Sequence, residues 1–249
     1  MQRYFIHISY NGTHYCGWQT QPNGITVQEV LDAKLSALLR VPTATVGAGR
    51  TDTGVHATQL YAHFDSAPIL NIERTLYSIN KMLPFDIAVH SLLPVHATAH
   101  ARFDAIERTY HYFVHGAKNP FLQQFSALIN HELNVEAMNK AAATLLNHID
   151  FTSFSKSNTD VKTNNCNITK AVWTVHNNQL QFTITANRFL RNMVRAIVGT
   201  LIDVGKGKIG VGEFEQIIIA QNRAAASESA PAKGLYLVEV KYPTNYFEQ

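Results

Sequence analysis

Segments with a strand period and segments with a helix period interleave along the whole chain, which limits the fold to a mixed α/β architecture. Tyr4–Tyr10 opens as a strand and ends in a polar turn at Asn11-Gly12. Thr26-Val-Gln-Glu29 has the form of a capping box, in which each end satisfies a free backbone amide of the other. Val27, Val30, Leu31, Leu35, Leu38 and Leu39 follow at helical spacing, and Pro42 closes that helix. Gln59–Phe64 alternates Leu60, Ala62 and Phe64 against Tyr61 and His63, as a strand does. Residues 71–83 read as a helix and Ile87–Leu93 as a further strand.

The second half repeats the theme. Thr109–His115 sets Tyr110, Tyr112 and Val114 on one face and His111, Phe113 and His115 on the other. Residues 135–147 form an Ala- and Leu-rich helix pattern, and Val172–Val175 with Leu180–Thr185 make a hairpin turning at Asn177-Asn178. A strong helix pattern covers 189–204, a shorter one 211–221, and Leu235–Val240 is a last strand. Ser153–Asn167 is polar and reads as a loop. Each half runs strand, helix, strand, so the pattern predicts two related subdomains, 1–105 and 106–249, sharing one sheet.

Composition removes several classes. At 249 residues, with 46% hydrophobic and 16% charged, the chain is too apolar and too weakly charged for a disordered protein. No apolar run reaches the roughly 18 residues of a membrane span, and the start is too short in apolar core for a signal peptide. Two cysteines, Cys16 and Cys166, cannot staple a scaffold and read as small buried thiols of a cytoplasmic protein. The net charge of +3, with twelve His besides, is compatible with nucleic acid without demanding it.

The densest cluster of small, polar and charged residues is Val46-Gly-Ala-Gly-Arg-Thr-Asp-Thr-Gly-Val-His56. Read as a dinucleotide loop, Gly47-x-Gly49 lacks its third glycine and a following helix. Read as a P-loop, Gly49 and Gly54 have the outer spacing, but Val55-His56 stands where Lys-Ser/Thr must be. The third reading is an active-site turn presenting Asp52. Flanking glycines free the backbone, Arg50 can hold an anion or the Asp itself, and the carboxylate can act as nucleophile or base. A solvated Gly-Asp turn is the plain alternative.

Arg188, Arg191 and Arg195 fall within one arc of the 189–204 helix and its entry, opposite Leu190, Met193, Val194, Ile197 and Leu201. Lys206 and Lys208 follow. Such an arc is either a solvated face or a stripe for phosphates. His96 with His100 and His111 with His115 have a spacing that could suggest a metal, but no Cys cluster or His-Glu-x-x-His motif completes a ligand set.

Gly49-Arg-Thr-Asp-Thr-Gly-Val-His-Ala57 resembles the signature of the TruA family of tRNA pseudouridine synthases, with Thr53 where Ala is more usual. Tyr10–Gln19, Arg102-Phe, Arg108–Tyr112, Asp150–Phe154, Asn187–Gly199 and Lys233–Leu237 are similar to the family's other landmarks, in order along nearly the whole chain. The resemblance implies detachment of a tRNA uridine at N1, rotation, and reattachment through C5. It implies Asp52 as the catalytic aspartate, Tyr110 as the tyrosine packing on the target base, and Arg195 as the partner of Asp52. Arg50, Arg188 and Arg191 are expected to bind substrate. It further implies uridines 38, 39 and 40 of the anticodon stem-loop as targets, a homodimer, and no metal or organic cofactor, because isomerisation changes no oxidation state. The expected fold is α/β of the α+β type: a mixed, mainly antiparallel sheet flanked by helices, in two subdomains around a basic cleft. A catalytically silent RNA-binding protein and a synthase for another RNA are the rivals; intact Asp52 and Tyr110 speak against the first.

Overall fold

The computed structural model describes residues 1–156, 162–176, 179–244 and 246–247. In chain order the elements are β1 (Gln2–Tyr10), α1 (Val27–Leu39), β2 (Val46–Gly47), β3 (His56–Ser66), α2 (Ile72–Met82), β4 (Ile87–Val95) and β5 (Glu107–His115). There follow β6 (Ala127–Leu128), α3 (Val135–Thr144), β7 (Ile168–His176), β8 (Gln179–Ala186), α4 (Met193–Gly205), α5 (Val211–Ile219) and β9 (Leu235–Lys241). The expected turn residues Asn177-Asn178, and 157–161 of the expected loop, lie outside the described residues. No helix among the described residues is long and apolar enough to cross a membrane.

The chain forms two compact units, residues 1–106 with 237–249, and residues 107–236. In the first, the strands run β4-β1-β3-β9, with β2 beside β3. β1 pairs antiparallel with both β3 and β4, placing Ile6 opposite Ala62 and Leu92. Phe5, Ile6, Ile8, Leu31, Leu35 and Leu60 make its buried core. Thr26 caps α1 by accepting the Glu29 amide at 3.3 Å. The helix stops at Arg40, in a left-handed conformation at φ 58°, before Pro42 is reached.

In the second unit β8 lies between β5 and β7, antiparallel to both, and β6 runs parallel to β5. The alternation on β5 buries Tyr112 and Val114 fully. Asn134 caps α3 by accepting the Ala137 amide, and α3 packs on β7, α4 and α5. Phe154 of the expected polar loop is buried, in a short 3-10 turn over Thr152–Phe154.

One expected helix is shorter than its sequence pattern. α4 begins at Met193, not at 189, because Asn192 adopts a left-handed backbone at φ 65°. Residues Arg188 and Arg191 therefore ride on an irregular segment, and the basic stripe is not a helix face. α4 itself is buried nearly all round, including Val194, Ala196, Ile197, Val198 and Leu201. Lys206 and Lys208 lie 4.0 and 3.5 Å from the Asp203 carboxylate.

Candidate active site

Three segments of the first unit converge on the Asp52 loop. β2 pairs with β3, Val46 opposite His63, and the Ala48 amide donates to the Tyr61 carbonyl at 2.7 Å. The chain then leaves the sheet, turns with the Val55 amide on the Asp52 carbonyl at 3.1 Å, and re-enters at His56. Residues 10–18 support that turn. The Tyr10 hydroxyl and the Thr51 hydroxyl are 2.9 Å apart. The Gly54 amide donates to the Tyr15 carbonyl at 3.2 Å, and the Gly12 amide to His56 Nδ1 at 3.1 Å. Gly17 sits at φ +84°, where a Cβ would collide with the Thr51 carbonyl, and the Trp18 indole lies where a Gly47 Cβ would stand. Thr51 and Gly54, on either side of Asp52, are therefore fixed by packing and hydrogen bonds.

Asp52 is half-exposed, Arg50 and Thr53 exposed, and a Cβ at Gly49 would meet nothing within 4 Å. Asp52 thus stands half-exposed on a packed turn, with open space at Gly49. Beneath, the Tyr15 hydroxyl donates to Asp86 at 2.7 Å. Burial, helped by that carboxylate, raises the Tyr15 pKa well above its ordinary value, so the hydroxyl stays protonated and the tie holds.

The second unit gathers the other expected residues. Tyr110, on β5 opposite Ile184, is half-exposed, and its ring meets Phe189 edge-on at 5.2 Å. Arg108 Nη1 donates to the Asn187 carbonyl at 2.8 Å, fixing the same segment. Tyr110 is thus brought together with residues 187–192, where Arg188 is half-exposed and Arg191 exposed. Tyr112, two residues on, is buried and donates to the Pro231 carbonyl at 2.8 Å. Burial raises its pKa strongly, as befits a structural hydroxyl.

Arg195 lies on the first turn of α4. Its Nε donates to the Ala230 carbonyl at 2.8 Å, and the Ala230 amide returns a bond to the Arg195 carbonyl at 2.9 Å. Ser229 is held in turn by Asn192 Nδ2 at 2.6 Å and Arg223 Nη2 at 3.3 Å. Sequence reasoning missed this 223–230 strap, whose small polar residues carry no periodic signal. It also missed Tyr10, Tyr15, Gly17 and Trp18 as supports, although their aromatic-glycine spacing was a usable sign.

The paired histidines have other work. His96 Nδ1 is 2.9 Å from the Thr98 hydroxyl, and His115 Nδ1 is 3.0 Å from the Ser126 hydroxyl. Among the described residues no group of three or more His, Cys, Asp or Glu could hold a metal ion. Cys166 is buried, which pushes its thiol up to about 11, whereas Cys16 is only half-buried.

A family model described as tRNA pseudouridine synthase matches residues 141–243. A tRNA pseudouridine synthase A of Bacteroides fragilis is 52% identical, over 100% of this chain and 99% of its own. That of Porphyromonas gingivalis is 51% identical over 99% of this chain and 100% of its own. That of Bacillus subtilis is 41% identical over 94% and 97%. Likeness of this extent runs over essentially the whole chain, and the chain belongs to the tRNA pseudouridine synthase A (TruA) family.

Proposed function

We propose that the protein isomerises uridine to pseudouridine at positions 38, 39 and 40 in the anticodon stem-loop of tRNA, with Asp52 as the catalytic nucleophile. The observation that carries this reading is the Asp52 turn, held on both sides by residues 10–18 with Asp52 itself half-exposed. A half-exposed carboxylate on a packed turn suits covalent catalysis, because little reorganisation separates the resting backbone from the reacting one.

In the reaction the N1–C1′ bond breaks, the base turns, and a C5–C1′ bond forms; C5 loses its proton and N1 ends protonated. Atoms and electrons balance within the substrate, so no cofactor is needed. Tyr110, half-exposed and steadied by Phe189, packs on the target base. Arg195, anchored by the Ala230 carbonyl, serves as the partner of Asp52. Arg50, Arg188 and Arg191 meet the RNA backbone. The reading includes a homodimer and a cytoplasmic setting. One active site serving three neighbouring positions must recognise the shape of the stem-loop more than its sequence.

Asp52→Asn tests the proposal. The amide keeps the shape but loses charge and nucleophilicity, so pseudouridine formation should vanish while folding and tRNA binding persist. Product from the purified variant at even about a tenth of the wild-type rate would remove Asp52 from the chemistry.

A further inference from the structure

Within the first unit, residues 96–104 form a loop whose backbone is held by side chains from all around it. Arg3 Nη1 donates to the Ala99 carbonyl at 2.9 Å. The Tyr242 hydroxyl donates to the Ala101 carbonyl at 2.6 Å, and the Ala101 amide to His63 Nδ1 at 3.1 Å. His100 Nδ1 accepts the Arg102 and Phe103 amides at 3.1 and 3.2 Å, while the His100 amide donates to Asp104 at 2.7 Å. Burial pushes His63 down to about 4, so it is neutral at physiological pH and keeps the lone pair this arrangement requires.

This anchored loop holds a large apolar ring out in water. Phe103 is 75% exposed. One side of the ring packs on His100, with centroids 4.1 Å apart and planes 31° from parallel, and His100 in turn meets His63 at 4.7 Å. The Arg102 guanidinium lies 5.9 Å from the Phe103 centroid. Phe85 and Phe121 are also exposed, but among the described residues no ring packs on either. Phe103 is distinguished by being pre-stacked, with a cation beside it. Aromatic and guanidinium planes set side by side on a rigid support are the chemistry that receives unpaired bases.

We propose that Phe103, stacked on His100 and flanked by Arg102, is a platform for an unpaired base of the tRNA substrate, a contact additional to the target-base site. The inference rests on the proposed tRNA reading. A rigid platform loses little conformational entropy on binding, so the exposed ring adds affinity where a flexible one would add little.

The test compares Phe103→Ala and Phe103→Trp with wild type, measuring dissociation constants for an unmodified tRNA transcript at several salt concentrations. Sedimentation and thermal melting run in parallel. Phe103→Ala should weaken binding roughly 5- to 150-fold, the range for losing one stacked base. The factor should be the same at every salt concentration, because no phosphate contact is lost, and Phe103→Trp should bind nearly as wild type. Melting should be little changed, since the ring is largely exposed. Unchanged affinity in Phe103→Ala would overturn the platform. So would weakened binding accompanied by a shifted oligomeric state, which would make this face a contact between copies. Wild type that binds tRNA and makes pseudouridine while Phe103→Ala matches it fails the platform alone; wild type that does neither fails the function itself.

Discussion

At φ +84°, Gly17 holds a backbone conformation that costs other residues about 1–2 kcal/mol, and its missing Cβ leaves room for the Thr51 carbonyl. Gly17→Ala should therefore lower stability by about 1–3 kcal/mol, strain and collision together, and displace the Asp52 turn. Urea unfolding with single-turnover assays checks it: turnover should fall even where the variant remains folded, and wild-type values in both would detach Gly17 from the site. Asp32 offers a pH-dependent case. Burial pushes its carboxyl up to about 6 from 3.8, although the Thr45 amide and hydroxyl both donate to it. The folded chain thus holds this proton more tightly than the unfolded one. Its contribution is most favourable below pH 3.8, declines as pH rises through about 6, and is level above. Asn at this position can still accept both bonds without a buried charge. Asp32→Asn should match wild type near pH 4 and surpass it at pH 7, as urea titrations across that range would reveal; a difference independent of pH would refute the burial argument.

Elements were legible where one periodicity ran undisturbed. Thr26 and the leucines after it placed α1, and the alternation around Tyr112 placed β5. The start of α4 was not legible, because Leu190, Met193, Val194 and Ile197 keep helical spacing straight across a break made by the backbone of Asn192 alone. Apolar spacing reports which residues are buried, and Leu190 is buried whether or not it is helical. The break separates the arginines by element. Arg188 and Arg191 belong to the segment before α4, whereas Arg195 is tied within it to Ala230. If the first two meet phosphates, Arg188→Ala or Arg191→Ala should weaken binding of every tRNA alike and reduce the salt slope by about one unit. Arg195→Ala should lower single-turnover rate at saturation more than affinity. An unchanged affinity and slope in the first pair would leave that segment merely solvated. A pure binding defect in Arg195→Ala would deny it a role beside Asp52.

At the scale of the whole molecule, the two units divide the chain unevenly. The sequence announces a last strand at Leu235–Val240, but a strand's partner is a long-range matter that local pattern does not carry. In the structure β9 lies beside β3, returning residues from 237 onward to the unit that holds Asp52. Leu237, Val240 and Tyr242 are buried there. The Val240 amide donates to Gln59 at 2.7 Å and the Ile106 amide to the Lys241 carbonyl at 2.8 Å. Tyr242 meets Phe5 at 5.4 Å and Tyr61 at 5.5 Å. Burying one such side chain contributes about 1.5–3 kcal/mol, so losing three approaches the whole stability of about 5–15 kcal/mol expected of a domain. A chain ending at Tyr236 should therefore fail to hold its first unit. Limited proteolysis should cut it within residues 1–106, where the full chain resists. Pseudouridine formation should disappear with the Asp52 turn, although the deletion removes none of the residues assigned to chemistry. Equal protease resistance of residues 1–106 in both chains would show that β9 is dispensable to the fold, and any loss of activity would then need a cause other than collapse of the site.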